Sequence, residues 1–376
     1  MSQVFLGVEQ STTARRWVGP DAALDRHAQM IVQETGFPNA MANVLARLGV
    51  AAADAARFVE PSLRELMPDP LDMKDMEKAA RRINDAAIAG QRIAIFADYD
   101  VDGATSAALL HDWLSQLGNV PTIYVPDRID EGYGPNDEAM QKLAKSHDLI
   151  VCVDCGTLSH GPIDAVAGTD VVVLDHHLGG ETLPSAYAVV NPNRQDETGD
   201  LYYLCAAGVV FMTLAAMNGL RRGAKLPTPD LLAMLDLVAL GTVADVAPLV
   251  GFNRALVRQG LKVMAARGRV GLVALADVAG MNTAPAAYHL GYLLGPRINA
   301  GGRVGKADLG ARLLTCNDPH EAGALAEKLN QLNAERREIE ATVQLQAMEQ
   351  AEQRGLDGPL VWAAGDGWHP GVVGIV

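Results

Sequence analysis

Three short apolar runs in this sequence each end on acids. Ile93 to Ala97 leads into Asp98-Tyr99-Asp100-Val101-Asp102-Gly103, Leu149 to Val153 into Asp154, and Val171 to Leu174 into Asp175-His176-His177. A single carboxylate in such a place is often only the N-cap of the next helix. Three such ends, one with adjacent histidines, point instead to a shared site. Carboxylates crowded into one crevice raise each other's pKa unless cations neutralise them, so bound divalent metal is the economical reading. A mixed set of carboxylates and imidazole suits Mn²⁺ or a similar first-row ion better than Ca²⁺, which prefers oxygen alone. Two such ions side by side can activate a water and offset the charge that builds on phosphoryl oxygens, and a phosphoester substrate follows.

The pattern Asp98-x-Asp100-x-Asp102-Gly103 also opens an EF-hand loop. Its twelfth position is Leu109 where that loop needs a bidentate Glu, and a strand precedes it rather than a helix. A fourth acid, Asp245, lies in the stretch Leu235 to Leu249, whose apolar first half reads as a buried helix. Small residues beside Asp245 would let the backbone approach a metal. The one Gly-Lys step, Gly305-Lys306, lacks the upstream glycine and the following Ser or Thr of a P-loop, so ATP hydrolysis is not supported.

The acids need elements to position them. From about Met76, short apolar runs (those above, and Thr122 to Val125) alternate with helical segments, which predicts an α/β domain with a mainly parallel sheet flanked by helices. In an open sheet of that kind the carboxyl ends of the strands face the ligand crevice. The first 75 residues alternate helical segments with breaks at Pro38, Pro61, Pro68 and Pro70, and read as an N-terminal helical arm. Near Asp318 a strong start signal appears: Asp318 as N-cap, Pro319 at the first helical position and Glu321 three residues after the cap. One long, polar, alanine-rich connecting helix is expected from there to about Gln353. The apolar run Pro359 to Ala364 is expected to begin a second α/β unit. Because the chain stops inside the apolar sequence Gly371 to Val376, a truncated chain is expected. The predicted division is 1–75, 76–315, 316–355 and 356–376.

A length of 376 residues exceeds one usual hydrophobic core, so two or more domains are expected. With 49% hydrophobic and 20% charged residues the composition is that of an ordinary globular protein. No stretch has signal-peptide character or reaches the ~18 apolar residues of a membrane helix, so a cytoplasmic protein without membrane contact is expected. Four scattered cysteines do not make a disulfide scaffold. The Cys152-x-x-Cys155 pair has no second pair, and buried small side chains are the expectation there rather than zinc or redox chemistry. A formal charge of -14 argues against a protein that coats nucleic acid with a basic surface, yet carboxylates that hold cations account for part of it. Residues 251–310 break the trend, with eight lysines and arginines against only Asp277 and Asp308, for a net +6.

Taken together, Asp-Tyr-Asp-Val-Asp-Gly at 98–103, Val-Asp-Cys-Gly at 153–156, Asp-His-His at 175–177 and Gly-Thr-Val-Ala-Asp-Val at 241–246 resemble the four motifs of the DHH phosphoesterases. Gly295-Pro-Arg-Ile-Asn-Ala-Gly-Gly-Arg303 and His369-Pro-Gly-Val-Val-Gly-Ile-Val376 resemble the RecJ branch of that family. The resemblance runs in order from about Phe5 to the last residue. It implies a DHH-type domain, a long connecting helix and the start of a DHHA1 domain. The implied activity is a metal-dependent five-prime to three-prime exonuclease on single-stranded DNA, releasing five-prime mononucleotides in DNA repair and recombination. Its cofactors would be two divalent ions, Mn²⁺ or alternatively Mg²⁺, and its partner a single strand with a five-prime end. A monomer is expected.

By the same resemblance Asp98, Asp100, Asp102, Asp154, His176 and Asp245 surround the metals. His177 lies near the scissile phosphate, and Asp175 is a partner that orients a histidine. Whether Asp98 or Asp175 touches metal directly stays open. Arg128 matches the arginine that recognises the five-prime phosphate, and Arg297, Asn299 and Arg303 match a motif that holds the nucleic-acid backbone, a task suited to the guanidinium fork. Two departures stand out: Gly301 replaces the more usual Ala, and the family's further phosphate contacts would lie beyond Val376. Two rival readings remain, a phosphoesterase acting on small nucleotides and a non-catalytic replication scaffold. The complete set of motif acids and histidines speaks against the scaffold.

Overall fold

The structure is a computed structural model that describes residues 4–19, 21–128, 130–355, 358 and 360–376. Its contacts divide the chain into two compact units, Met1–Met67 with Val250–Arg254, and Pro68–Leu249 with Ala255–Val376. In the first unit the helices Ala22–Thr35, Asn39–Arg47, Ala55–Val59 and Leu63–Leu66 are short because prolines and glycines interrupt them. Ile31, Ala42, Leu45 and Ala55 form its buried centre. Asp21 starts the first helix, its Oδ1 accepting from the Ala23 N–H at 2.8 Å, and Gly36 ends it in the left-handed conformation.

The second unit holds a five-stranded sheet, ordered β2-β1-β3-β4-β5, in which every pairing is parallel. Its strands are β1 (Ile93–Ala97), β2 (Thr122–Tyr124), β3 (Leu149–Val153), β4 (Asp170–Leu174) and β5 (Ala188–Val190). All residues of β1 and β3 are buried, as expected of central parallel strands covered on both faces by β-branched and aliphatic side chains. The chain leaves β1 for β2 on one side and returns to β3 on the other. The switch point of the topology, where the crevice of an open α/β sheet lies, therefore falls between β1 and β3. The helix Val101–Gln116 follows β1, and the apolar helices Ala206–Gly223 and Leu235–Ala244 pack against it.

Sequence and structure differ in two places. The strand β5 was not expected: three residues between a turn and Asn191 give too short a pattern to stand out. The long helix is present as Pro319–Arg354, capped by Asp318, whose Oδ1 accepts from the Glu321 N–H at 2.8 Å. Beyond it, Pro359 lies outside the described residues. Residues 360–364 form no strand, since an apolar run has no ladder to join without a partner strand. A short helix, Pro370–Val373, follows. Cys152 and Cys155 are buried and free, in keeping with the packing role expected of that pair, and Cys205 is buried as well. Among the described residues no helix is long and apolar enough to cross a membrane.

Candidate metal centre

The ends of β1, β3 and β4 deliver the predicted acids and histidines to one crevice. After β1 the chain turns through Asp98 and Tyr99 to Asp100, which caps the helix Val101–Gln116. Asp100 Oδ1 accepts from the Asp102 and Gly103 N–H groups at 2.8 and 3.1 Å. Gly103 is required here, because a Cβ on it would overlap the Asp98 carbonyl. Asp102 is tied to a second helix: its Oδ2 and Oδ1 accept from the Ala206 and Ala207 N–H groups at 2.6 and 2.9 Å, at the start of Ala206–Gly223. Asp154, one residue past β3, has a left-handed backbone with φ 60°. Asp245 ends the helix Leu235–Ala244, and the β-branched Val246 after it also sits at φ 60°. Such conformations cost about 1–3 kcal/mol each and collect at functional sites.

The donor atoms form three overlapping groups, each lying within 4.8 Å: Asp98, Asp100 and Asp154; Asp102, His176 and Asp245; and Asp154, His176 and His177. Asp154 and His176 each belong to two groups, so the set describes adjacent centres that share ligands. His176 Nε2 is 3.3 Å from Asp154 Oδ1 and 3.8 Å from Asp102 Oδ2, while its Nδ1 is 3.9 Å from Asp245 Oδ2. Asp98 Oδ1 and both carboxylate oxygens of Asp154 are buried and accept no hydrogen bond. A buried, unpartnered carboxylate oxygen is expensive, and several at one point need an outside cation.

The acidities agree. Burial and then the charge of Asp100 push Asp98 up to about 8. Burial and then Asp102 push Asp245 up to about 8. Burial raises Asp102, and burial together with Asp100, Asp102 and Asp98 raises Asp154 well above the carboxylate range. Among the described residues no Lys or Arg forms a salt bridge with any of these acids. The donor set therefore fits divalent cations.

Asp175 differs. Its Oδ1 accepts from the His176 and His177 N–H groups at 2.7 and 3.2 Å and lies 2.8 Å from His177 Nδ1, and its Oδ2 accepts from the Thr157 N–H at 3.0 Å. Burial would raise its pKa, but the partnership with His177 and then Thr157 holds it below the usual range. In return the Asp175 hydrogen bond raises His177 to about 8.

Of the four residues expected at nucleic acid, three come close to this crevice. The Arg128 guanidinium stands over the Tyr99 ring, 5.2 Å from its centroid. Arg303 is pushed down first by burial and then by the charge of Arg128, so the two cations converge. The helix that carries Arg303 approaches through Gly302, where a Cβ would lie 2.9 Å from the Tyr99 carbonyl oxygen. Asn299 acts on the site from behind, with its Oδ1 accepting from the Val101 N–H at 3.0 Å. Arg297 points elsewhere and donates to Asn330 Oδ1 and the Leu293 carbonyl at 3.0 and 2.7 Å.

Sequence reasoning missed Tyr133, whose hydroxyl is 3.2 Å from His177 Nε2 and 3.4 Å from the Asp154 carbonyl. It also missed Asn191 and Asn193, which donate to the His177 and His176 carbonyls at 2.8 and 2.6 Å. Two asparagines directly after the apolar Ala188 to Val190 are the signal that could have found them.

Residues 92–242 match the DHH family, N-terminal domain. The single-stranded-DNA-specific exonuclease RecJ of Dickeya dadantii is 41% identical over 360 residues, covering 91% of this chain and 62% of that protein. The protein of the same description from Bacillus subtilis is 36% identical over 340 residues, covering 89% of this chain and 42% of that one. The chain thus spans about half the length of the curated relatives it matches. A crystal structure of exonuclease RecJ bound to manganese superposes with a TM-score of 0.71 at 36% identity, covering 82% of this chain and 77% of that one.

Proposed function

The chain belongs to the RecJ branch of the DHH family, and from that premise we propose that it hydrolyses phosphodiester bonds of single-stranded DNA from the five-prime end. The observation that carries this reading is the cluster of buried carboxylate oxygens that accept no hydrogen bond, on acids that form no salt bridge with Lys or Arg among the described residues. Asp98, Asp100, Asp102, Asp154, His176 and Asp245 would hold two divalent ions, both Mn²⁺ by preference, with Mg²⁺ as the alternative. Bound there, such ions supply Lewis acidity, which activates water and offsets phosphoryl charge.

The other groups divide the remaining work. Asp175 fixes the His177 ring through Nδ1, which leaves Nε2 turned to a phosphoryl oxygen. Arg128 holds the terminal phosphate and thereby sets polarity, with Arg303 beside it on the backbone. Asn299 is a positioning residue that fixes the Asp98–Asp102 turn, and Arg297 contacts the strand further out. We assign the chemistry to 76–315, with 1–75 as an arm, 316–355 as a connector and 356–376 as the start of a DHHA1 domain. A cytoplasmic monomer acting in DNA repair and recombination completes the reading.

The test is mononucleotide release from five-prime-phosphorylated single strands in Mn²⁺, with duplex DNA and Asp154→Ala as comparisons. The expected outcome is release from the single strand that the substitution lowers by ~10³-fold or more. Equal release by Asp154→Ala would overturn the site, and a preference for dinucleotides would transfer the assignment to small-molecule phosphoesterases.

A further inference from the structure

The segment that brings Asn299 and Arg303 to the crevice carries a second feature that hydrolysis does not use. Tyr288 and Tyr292, one turn apart, stack on each other with ring centroids 5.2 Å apart and planes 25° from parallel. They are nonetheless 62% and 72% exposed. Large rings left paired at a surface mark a binding face. The backbone around them is specialised: Ala287–His289 runs into a π-helical turn, Leu290–Leu294, and then into the helix Gly295–Val304. Pro296 lacks the N–H that would bond the Tyr292 carbonyl, and π-turns of this kind recur at functional sites. A Cβ on Gly295 would lie 2.8 Å from the Leu290 carbonyl and 3.3 Å from Ala244 Cβ. The segment therefore sits tightly against the helix end that bears Asp245.

Through the π-helical turn Leu290–Leu294 the tyrosine pair is continuous with the helix that carries Asn299 and Arg303, so all four residues belong to one helical segment. From Tyr292 to Arg303 the rise is about 16 Å, a span of a few nucleotides. One end of this segment reaches the crevice through the Asn299–Val101 hydrogen bond and the convergence of Arg303 with Arg128. The other end is the tyrosine pair. Arg297, Arg303 and Lys306 make the segment basic within an acidic chain. We propose that Tyr288 and Tyr292 form a base-stacking platform for single-stranded nucleic acid, holding bases on the three-prime side of the bond to be cut. The inference rests on the strand-hydrolysing reading above. Stacking on aromatic faces is tolerant of sequence, which suits an enzyme that must advance through any strand.

The test uses the 376-residue chain and a five-prime-phosphorylated single strand of about 12 nucleotides, within the range such grooves cover. Binding is read by fluorescence anisotropy in Ca²⁺, and turnover separately in Mn²⁺. Tyr288→Ala/Tyr292→Ala is expected to weaken binding about tenfold or more and to raise KM with kcat unchanged, while Tyr288→Phe/Tyr292→Phe restores both. On a strand made abasic along its three-prime half, wild type and the alanine variant should bind alike. Binding by the alanine variant within about twofold of wild type, or a loss that persists on the abasic strand, overturns the platform and leaves the face to a protein partner. Tyrosine-dependent binding without Mn²⁺-dependent release would overturn the hydrolytic reading and leave the platform standing.

Discussion

Two clusters of buried acid sit at opposite ends of the helix pair Val101–Gln116 and Leu235–Ala244, and the protein treats them in opposite ways. At one end Arg269 donates to Asp112 Oδ2 and Asp236 Oδ2 at 2.7 and 3.0 Å and to the Leu314 carbonyl at 3.2 Å. Burial works against Asp112, but His111 and Arg269 still hold its carboxyl below the usual range. At the other end Asp102 and Asp245 meet His176 and Asp154 without a salt bridge to arginine or lysine among the described residues, and all three carboxyls are raised. Where the fold supplies its own cation, the acids serve the fold. Where it supplies none, the acids are left in an arrangement that suits a cation from solution.

The largest expected effect on stability separates the two ends. Asp236→Ala leaves Arg269 half-paired in the interior and should cost about 3–5 kcal/mol, read by urea unfolding at pH 8 without metal. Under the same conditions Asp154→Asn should leave stability unchanged or raise it, since it removes a carboxyl whose ionisation burial and the acids around it oppose. Equal losses in both variants would erase the distinction.

Next in size is the response to Mn²⁺. Asp98 and Asp245 have folded pKa values raised to about 8, against about 4 when unfolded. Below about 4 both states are protonated. Between about 4 and 8 only the unfolded state ionises, so the metal-free fold loses stability as pH rises through that window. Metal holds the ionised form. At about 100 times its Kd, Mn²⁺ should add about 2.7 kcal/mol at pH 8, and the same concentration clearly less at pH 6. A thermal shift of equal size at both pH values would contradict the raised carboxyls. Smallest is Tyr133→Phe, which removes the hydroxyl beside His177 Nε2 and should slow turnover by at most about tenfold. An unchanged rate would show that this contact is not used.

Much of this was legible in the sequence because strand ends announce themselves: an apolar run followed by Asp98, Asp154 or Asp175 marks both the element and the site. The N-cap signal at Asp318 likewise defined the long helix almost to its last residue. The division of labour among the acids was not legible. Whether Asp98 or Asp175 is left for a cation depends on which backbone N–H groups surround each. Asp175 is saturated by Thr157, His176 and His177, while Asp98 keeps a bare buried oxygen. Asn299 reads in sequence as a ligand of nucleic acid, yet its side-chain oxygen is spent on Val101, nearly two hundred positions away. The stacked tyrosines were invisible for a similar reason: only a helical path through Leu290–Leu294 brings their rings together.

The measurement closest to the central claim is the number of Mn²⁺ ions bound per chain, counted by electron paramagnetic resonance for wild type and Asp154→Asn at pH 8. The account predicts two ions on the wild type and the loss of at least one in the variant, because Asp154 belongs to two of the three donor groups. Equal binding by both proteins, or none by the wild type, would contradict it.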